Sequence, residues 1–283
     1  SSSAASDVYK RQEIDALMMG VEEPTQKMKW ALVRLREVAR ASILAICYHL
    51  QAGQFVPLGH EIVFGKGKLP IEVDLGGKKV HLTGKIDRAD IYEDERGKYI
   101  RIIDYKSYDK TFDISRFYYG LDLQLAVYLD SLCLQEGAQP AGMLYFRLRD
   151  PIVQAPPDAS AQDVADSVRS AFRMNGLVLW DEQVLRSMDR GMGAKSDIIP
   201  VEIKKDGTPS ARSSAASPLQ LQALRRNLQK TLQRTLREIL QGDAQVRPAR
   251  YKKESACTWC QYRDICRFDT TCGDMARILR PME

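Results

Sequence analysis

Gly84-Lys-Ile-Asp-Arg-Ala-Asp90 and Ile102-Ile-Asp-Tyr-Lys-Ser107 are the two stretches on which the fold turns. Both are short and carry β-branched residues around their charges. A charged turn, Glu93-Asp94-Glu95-Arg96-Gly97, separates the segments they belong to, Val80–Tyr92 and Tyr99–Lys106. This pattern predicts two adjacent strands. Alternation along the second strand sets Asp104 and Lys106 on one face, and a neighbouring strand can bring Asp87 beside them. Taken alone, Asp-x-Lys is also the pattern of an ordinary exposed ion pair. Here Ile100, Ile102 and Ile103 flank it. Such a strand is expected to be buried, and buried charges need partners or a metal.

Working outward, Phe55–Phe64, Ile71–Leu75 and Ala141–Arg147 read as further strands, with Gly76-Gly77 as a turn. Met28–Leu50 carries Trp30, Leu32, Leu35, Val38, Ile43, Ile46 and Leu50 near helical spacing and ends towards Gly53. Leu121–Leu134 is an amphipathic helix. Strands, helix, then strand describe an α/β fold, a mixed sheet with helices on its faces. The second half is more helical, with helices expected over Ala159–Met174 and Asp181–Met188. Residues 204–216 form a polar, aperiodic loop, and Ser217-Pro218 opens a helix that stops at Gly242.

Two carboxylates and one ammonium suit phosphodiester hydrolysis. Asp87 and Asp104 offer magnesium the oxygen ligands it prefers, and the Tyr105 carbonyl can add another. Magnesium polarises phosphoryl oxygen and acidifies bound water. Lys106 would orient the attacking water or help to deprotonate it, and steady the charge building on the phosphate.

Composition permits this chemistry without establishing it. The 283 residues carry a formal charge of +5, which allows an anionic partner such as nucleic acid. Hydrophobic residues make up 44%, enough for a core. No apolar run nears the roughly 18 residues of a membrane span. On the helix from Ser217 to Gln241, Arg226, Lys230, Arg234 and Arg237 recur at three- and four-residue spacing. They make a positive stripe that reads either as a solvated face or as a track for a DNA backbone. Ser1–Gln12 is low in complexity and unlike the rest, and reads as a non-native leader.

The order GKIDRAD, IIDYKS and Gly120-Leu-Asp-Leu-Gln-Leu-Ala-Val-Tyr128 resembles the RecB-like branch of the PD-(D/E)XK nucleases. The resemblance implies a restriction-endonuclease-like sheet. It implies an active site of Asp87, Asp104, Lys106, Gln124 and Tyr128, with magnesium on Asp87, Asp104 and Tyr105. Further stretches, Phe55–Gly65, Ala141–Phe146, Phe172–Leu177 and Ser196–Pro200, are similar to helicase/nuclease proteins of the AddB type. That similarity implies a bacterial cytoplasmic exodeoxyribonuclease that processes double-strand breaks with an AddA-type helicase/nuclease subunit. A CRISPR-associated RecB-like exonuclease and a non-catalytic iron–sulfur DNA-binding module are the alternatives.

Cys257, Cys260 and Cys266 have C-x2-C-x5-C spacing, which suits a shared metal or cluster. Zinc and free thiols are the other readings. The resemblance implies a 4Fe-4S cluster on these three, with a fourth cysteine far upstream of the first catalytic Asp. Cys47 does not match that position, and no His stands in the family's N-terminal histidine motif. The fragment is therefore expected to lack one cluster ligand and one metal ligand and to be a candidate for inactivity, with Cys272 as a candidate local substitute. The expected organisation is a leader over 1–12, a nuclease core over 13–150, a helical extension over 151–245 and a cysteine motif with tail over 246–283.

Overall fold

A computed structural model describes residues 25–65, 71–154, 156 and 158–282. The leader segment 1–12 lies outside the described residues.

The chain divides into two compact units, one of residues up to Tyr48 with Leu148–Phe172, the other of His49–Arg147 with Arg173–Glu283. Helix α1 runs Gln26–Ala52. In the first unit it carries an ion pair from Arg34 to Asp150 at 2.9 Å, while Trp30, Leu35 and Ile43 of its apolar series remain exposed. The other helix of this unit, Ala161–Ala171, starts at a capping box between Ser160 and Asp163. The expected helix Ala159–Met174 is thus shorter at both ends. No helix among the described residues is long and apolar enough to cross a membrane.

The second unit is built on a six-stranded mixed sheet. In chain order its strands are β1 (Val56–Phe64), β4 (Gly84–Asp94), β5 (Gly97–Lys106), β6 (Gln139–Arg147), β7 (Asn175–Leu179) and β8 (Ala215–Ala216), which also lie side by side in that order. β5 and β6 are parallel, as are β7 and β8, and the other pairs are antiparallel. The β5–β6 crossover contains α2 (Ile114–Tyr118) and α3 (Gln124–Glu136). The single strand expected over Val80–Tyr92 is instead two. β3 (Lys79–Leu82) turns away to pair with β2 (Ile71–Asp74), and only β4 enters the main sheet.

Leu125, Ala126, Tyr128, Leu129 and Leu132 of α3 pack on Ala89, Ile100, Ile102, Met143 and Leu177 of the sheet. β7 follows directly on the segment expected to be helix. Its Gly176 has φ 134°, and an added Cβ would lie 2.2 Å from the Met143 carbonyl oxygen, so no side chain fits there. The loop 204–216 ends by joining the sheet edge as β8. Past the helix Pro218–Leu240, β9 (Ala249–Tyr251) pairs with β10 (Glu254–Ser255) and β11 (Arg277–Leu279) in a small separate sheet.

The face of β4 and β5 turned from α3 buries charge. Asp90 and Arg101 are register partners with 0% exposure. Asp90 accepts from Arg88 Nε at 2.6 Å and Nη2 at 2.8 Å, and from Arg101 Nε at 3.0 Å. The Arg101 guanidinium lies 4.7 Å from the Phe55 ring centroid. His49 is buried nearby against Phe146, ring centroids 5.7 Å apart. Burial, then the charges of Arg101 and Arg88, push its pKa down to about 3 from 6.5. The folded value lies below the unfolded one. Neutral His49 therefore adds stability that is complete above about pH 6.5 and is lost as pH falls towards 3.

One carboxylate thus serves two buried guanidinium groups, and removing its charge strands both. Asp90→Asn should destabilise the protein by about 3–5 kcal/mol. Urea denaturation would check this, and a loss below about 1 kcal/mol would show that the network does not hold the sheet.

Candidate active site

The β4–β5 ladder is paired from Asp94–Gly97 to Arg88–Ile103. Beyond that pair the strands part company. Gly84, Lys85 and Ile86 stay with Phe64, Val63 and Ile62 of β1. Asp104, Tyr105 and Lys106 stay with Tyr145, Phe146 and Arg147 of β6. At the same point alternation along β4 breaks, because Ile86 and Ala89, three apart, both join the core cluster.

The acidic residues sit at this opening. Where a ladder carbonyl would accept, the Asp87 carboxylate does so instead, taking the Tyr105 N–H at 3.0 Å. Asp104 is buried, and its Oδ2 lies 2.6 Å from Lys106 Nζ. Burial alone would lower the Lys106 pKa. The ion pair with Asp104, helped by Tyr108 and Asp87, outweighs it and leaves the value raised. Lys106 is therefore an ammonium at neutral pH. Asp87, Asp104 and Lys106 are brought together, and the Tyr105 backbone lies between them.

Gln124 and Tyr128 lie at the start of α3, where Gln124 Nε2 donates to the Tyr128 hydroxyl at 3.0 Å. The Tyr128 ring meets Phe64 edge-on, centroids 4.7 Å apart. It also closes over Gly84, where a Cβ would lie 2.6 Å from the Tyr128 hydroxyl and 2.6 Å from Phe64 Cζ. Gly84, the first residue of the GKIDRAD segment, is thus one contact through which α3 reaches the strand carrying Asp87. Nothing in the motif itself betrays this purpose.

Asp122 is a second residue that sequence reasoning misses. It binds Lys110 at 3.0 Å and Arg116 at 2.5 Å. Burial raises the pKa of Tyr145, and Asp122 and Asp104 add to the rise, which sets Asp122 near the acidic site. Arg116 continues to Glu254, and Asp113 accepts from the Tyr251 hydroxyl at 2.9 Å and Lys252 at 3.2 Å. The segment between Lys106 and Gln124 is therefore tied to β9 and β10. Only a spatial view reveals this, because Arg116 and Glu254, like Asp113 and Tyr251, stand 138 residues apart.

Oxygen donors at the opening fit magnesium, which needs only one or two carboxylates beside water and phosphate. The cysteines do not fit a cluster as they stand. Among the described residues no three His, Cys, Asp or Glu side chains are grouped to hold a metal ion, so the expected convergence of Cys257, Cys260 and Cys266 is absent. Cys257 lies within the single 3-10 turn Ala256–Trp259, Cys260 caps its end, and Cys266 ends the short helix Arg263–Cys266. Their neighbours Trp259, Tyr262 and Ile265 are exposed, so no apolar cover draws the thiols inward. Cys260, Cys266 and Cys272 are exposed as well. The iron–sulfur reading rests on the spacing and the family resemblance, with no support from the geometry of the described residues.

An added methyl at Gly84 must displace Phe64 or Tyr128. Gly84→Ala should cost about 1–3 kcal/mol. Adding Tyr128→Phe, which removes the hydroxyl contact, should recover part of that loss. Thermal melts of the two single variants and the double variant would check this, and strictly additive losses would contradict the contact.

The arrangement has counterparts among known proteins. In Clostridium novyi (strain NT), the B subunit of the ATP-dependent helicase/deoxyribonuclease is 40% identical over 264 residues, 90% of this chain and 23% of that protein. The protein of the same name from Caldanaerobacter subterraneus subsp. tengcongensis is 37% identical over 274 residues, 94% of this chain and 24% of its own. That of Acetivibrio thermocellus is 37% identical over 249 residues, 84% of this chain and 22% of its own. The chain spans about a quarter of the length of these relatives. The sequence profile of the PD-(D/E)XK nuclease superfamily matches residues 2–267, and the chain belongs to that superfamily.

Proposed function

We propose that this chain is a magnesium-dependent exodeoxyribonuclease domain, part of a helicase/nuclease that processes double-strand breaks in a bacterial cell. Its partner would be an AddA-type helicase/nuclease subunit, a role suggested by the name that the relatives carry. The observation that supports the chemistry best is the β4–β5 opening, with Asp87 and Asp104 at its mouth and Lys106 held against Asp104.

In this reading Asp87, Asp104 and the Tyr105 carbonyl would hold magnesium. When bound, the ion supplies Lewis-acid polarisation of the phosphate and a more acidic water. The protein's own groups do the positioning. The Tyr105 N–H fixes the Asp87 carboxylate. Asp104 keeps Lys106 charged and in place, so that the ammonium can orient water and balance charge developing on the phosphate. Gln124 and Tyr128, bonded to each other, hold the start of α3 against Gly84 and give the opening a polar wall.

In a form of the protein as long as these relatives, Asp104→Ala and Lys106→Ala should each lower cleavage of linear DNA in magnesium by at least about a hundredfold. DNA binding should change little, since phosphate contacts elsewhere carry affinity. The check is cleavage and binding measured side by side on variants with confirmed melting transitions. Near-normal cleavage by either variant would refute the assigned chemistry.

A further inference from the structure

The helix Pro218–Leu240 turns Leu221, Leu224, Leu228 and Leu232 to the core. Arg225, on its flank, pairs with Asp130. Its outer side exposes Arg226, Lys230, Arg234 and Arg237. Its one acid, Glu238, approaches Arg234 only to 4.0 Å. Arg226, Lys230 and Arg237 have no carboxylate partner among the described residues. Elsewhere some exposed cations meet an acid, as Arg34, Lys79, Lys85, Arg186 and Arg247 do, and others, such as Arg212, meet none among the described residues. A face whose only task is solubility normally mixes both signs. This one is a row of a single sign, which builds an attractive potential for a polyanion.

The row sits beside the segment that leads to the candidate active site. Asn227 Nδ2 donates to the Tyr118 carbonyl at 3.5 Å. The Thr231 Cγ2 methyl lies 2.9 Å from where a Cβ on Gly120 would be, in the loop just before Gln124. The Tyr118 ring is 49% exposed and meets Tyr119 edge-on, centroids 5.3 Å apart. Cations in a row beside an exposed aromatic ring are what an unpaired strand needs, phosphate neutralisation together with a stacking surface. From Arg226 to Arg237 the helix covers about 16 Å at ~1.5 Å per residue.

We infer that Arg226, Lys230, Arg234 and Arg237, with Tyr118, form a sequence-independent docking track for the phosphate backbone of a single DNA strand next to the acidic site. The assignment builds on the nuclease reading and adds the substrate form and its approach.

The test is fluorescence anisotropy of a labelled oligothymidine, read across about 50–200 mM salt, with the full chain in EDTA so that no cleavage occurs. Changing all four cations to Gln should make the log K against log salt slope shallower by about 2–3, near 0.7 per lost contact. Affinity at low salt should fall at least about tenfold. Lys204→Gln with Lys205→Gln, an exposed pair elsewhere, should leave the slope unchanged, and Tyr118→Ala should weaken oligothymidine more than duplex. An unchanged slope in the fourfold variant overturns the track. So does competition by polyglutamate as strong as that by DNA, which would mark an acidic protein as the partner. Equal weakening of duplex, with no effect of Tyr118→Ala, overturns the single-strand assignment. The nuclease reading is scored separately by manganese binding at Asp87 and Asp104: a fallen slope without that binding keeps the track and rejects the nuclease reading, and binding with an unchanged slope does the reverse.

Discussion

The ladder between β4 and β5 holds from Asp94–Gly97 to Arg88–Ile103 and then lets go. On one side of the last bonded pairs, Asp90 gathers Arg88 and Arg101 in a fully buried network. On the other, α3 covers Ala89, Ile100 and Ile102. The closed part of the ladder is gripped from both faces. The strands separate just past that grip, each retained by its outer neighbour, β1 or β6. Asp87, Asp104 and Lys106 lie at the point of separation. The buried ion network is not placed there for net stability, since such networks contribute little of it. It fixes where the opening begins.

A site at splayed strands leaves backbone groups without ladder partners, and buried backbone groups must be satisfied. The Tyr105 N–H answers this by donating to Asp87. The same bond fixes the carboxylate, so a cost of breaking the ladder becomes the means of orienting an acid. Gly84 extends the logic to α3. Only a residue without a side chain lets Tyr128 approach β4 so closely, and Tyr128 in turn holds Gln124.

Much of this is legible in the sequence. Helix α1, the strands around the two acidic motifs, and α3 follow from apolar periodicity, and the paired Ser217-Pro218 cap marks the start of the long C-terminal helix. The grouping of Asp87, Asp104 and Lys106 is readable from motif order. The break in alternation at Asp87 is not, because it depends on which neighbour each half of β4 keeps. β7 and β8 escape for a similar reason. Ala215–Ala216 has no strand pattern of its own and pairs because β7 offers it an edge. The cysteines mark the opposite limit. Their spacing suggests a ligand set, yet spacing supplies no packing to bring thiols together, and here the residues around them face solvent.

The most direct test of the opening as a metal-dependent centre is binding of manganese, a paramagnetic substitute for magnesium, followed by electron paramagnetic resonance without DNA. Asp87 and Asp104 are argued to act as one oxygen-ligand set. The intact chain should therefore bind one ion at this site, and Asp87→Asn or Asp104→Asn alone should each abolish that binding with the fold intact. Undiminished binding in both variants would contradict the account.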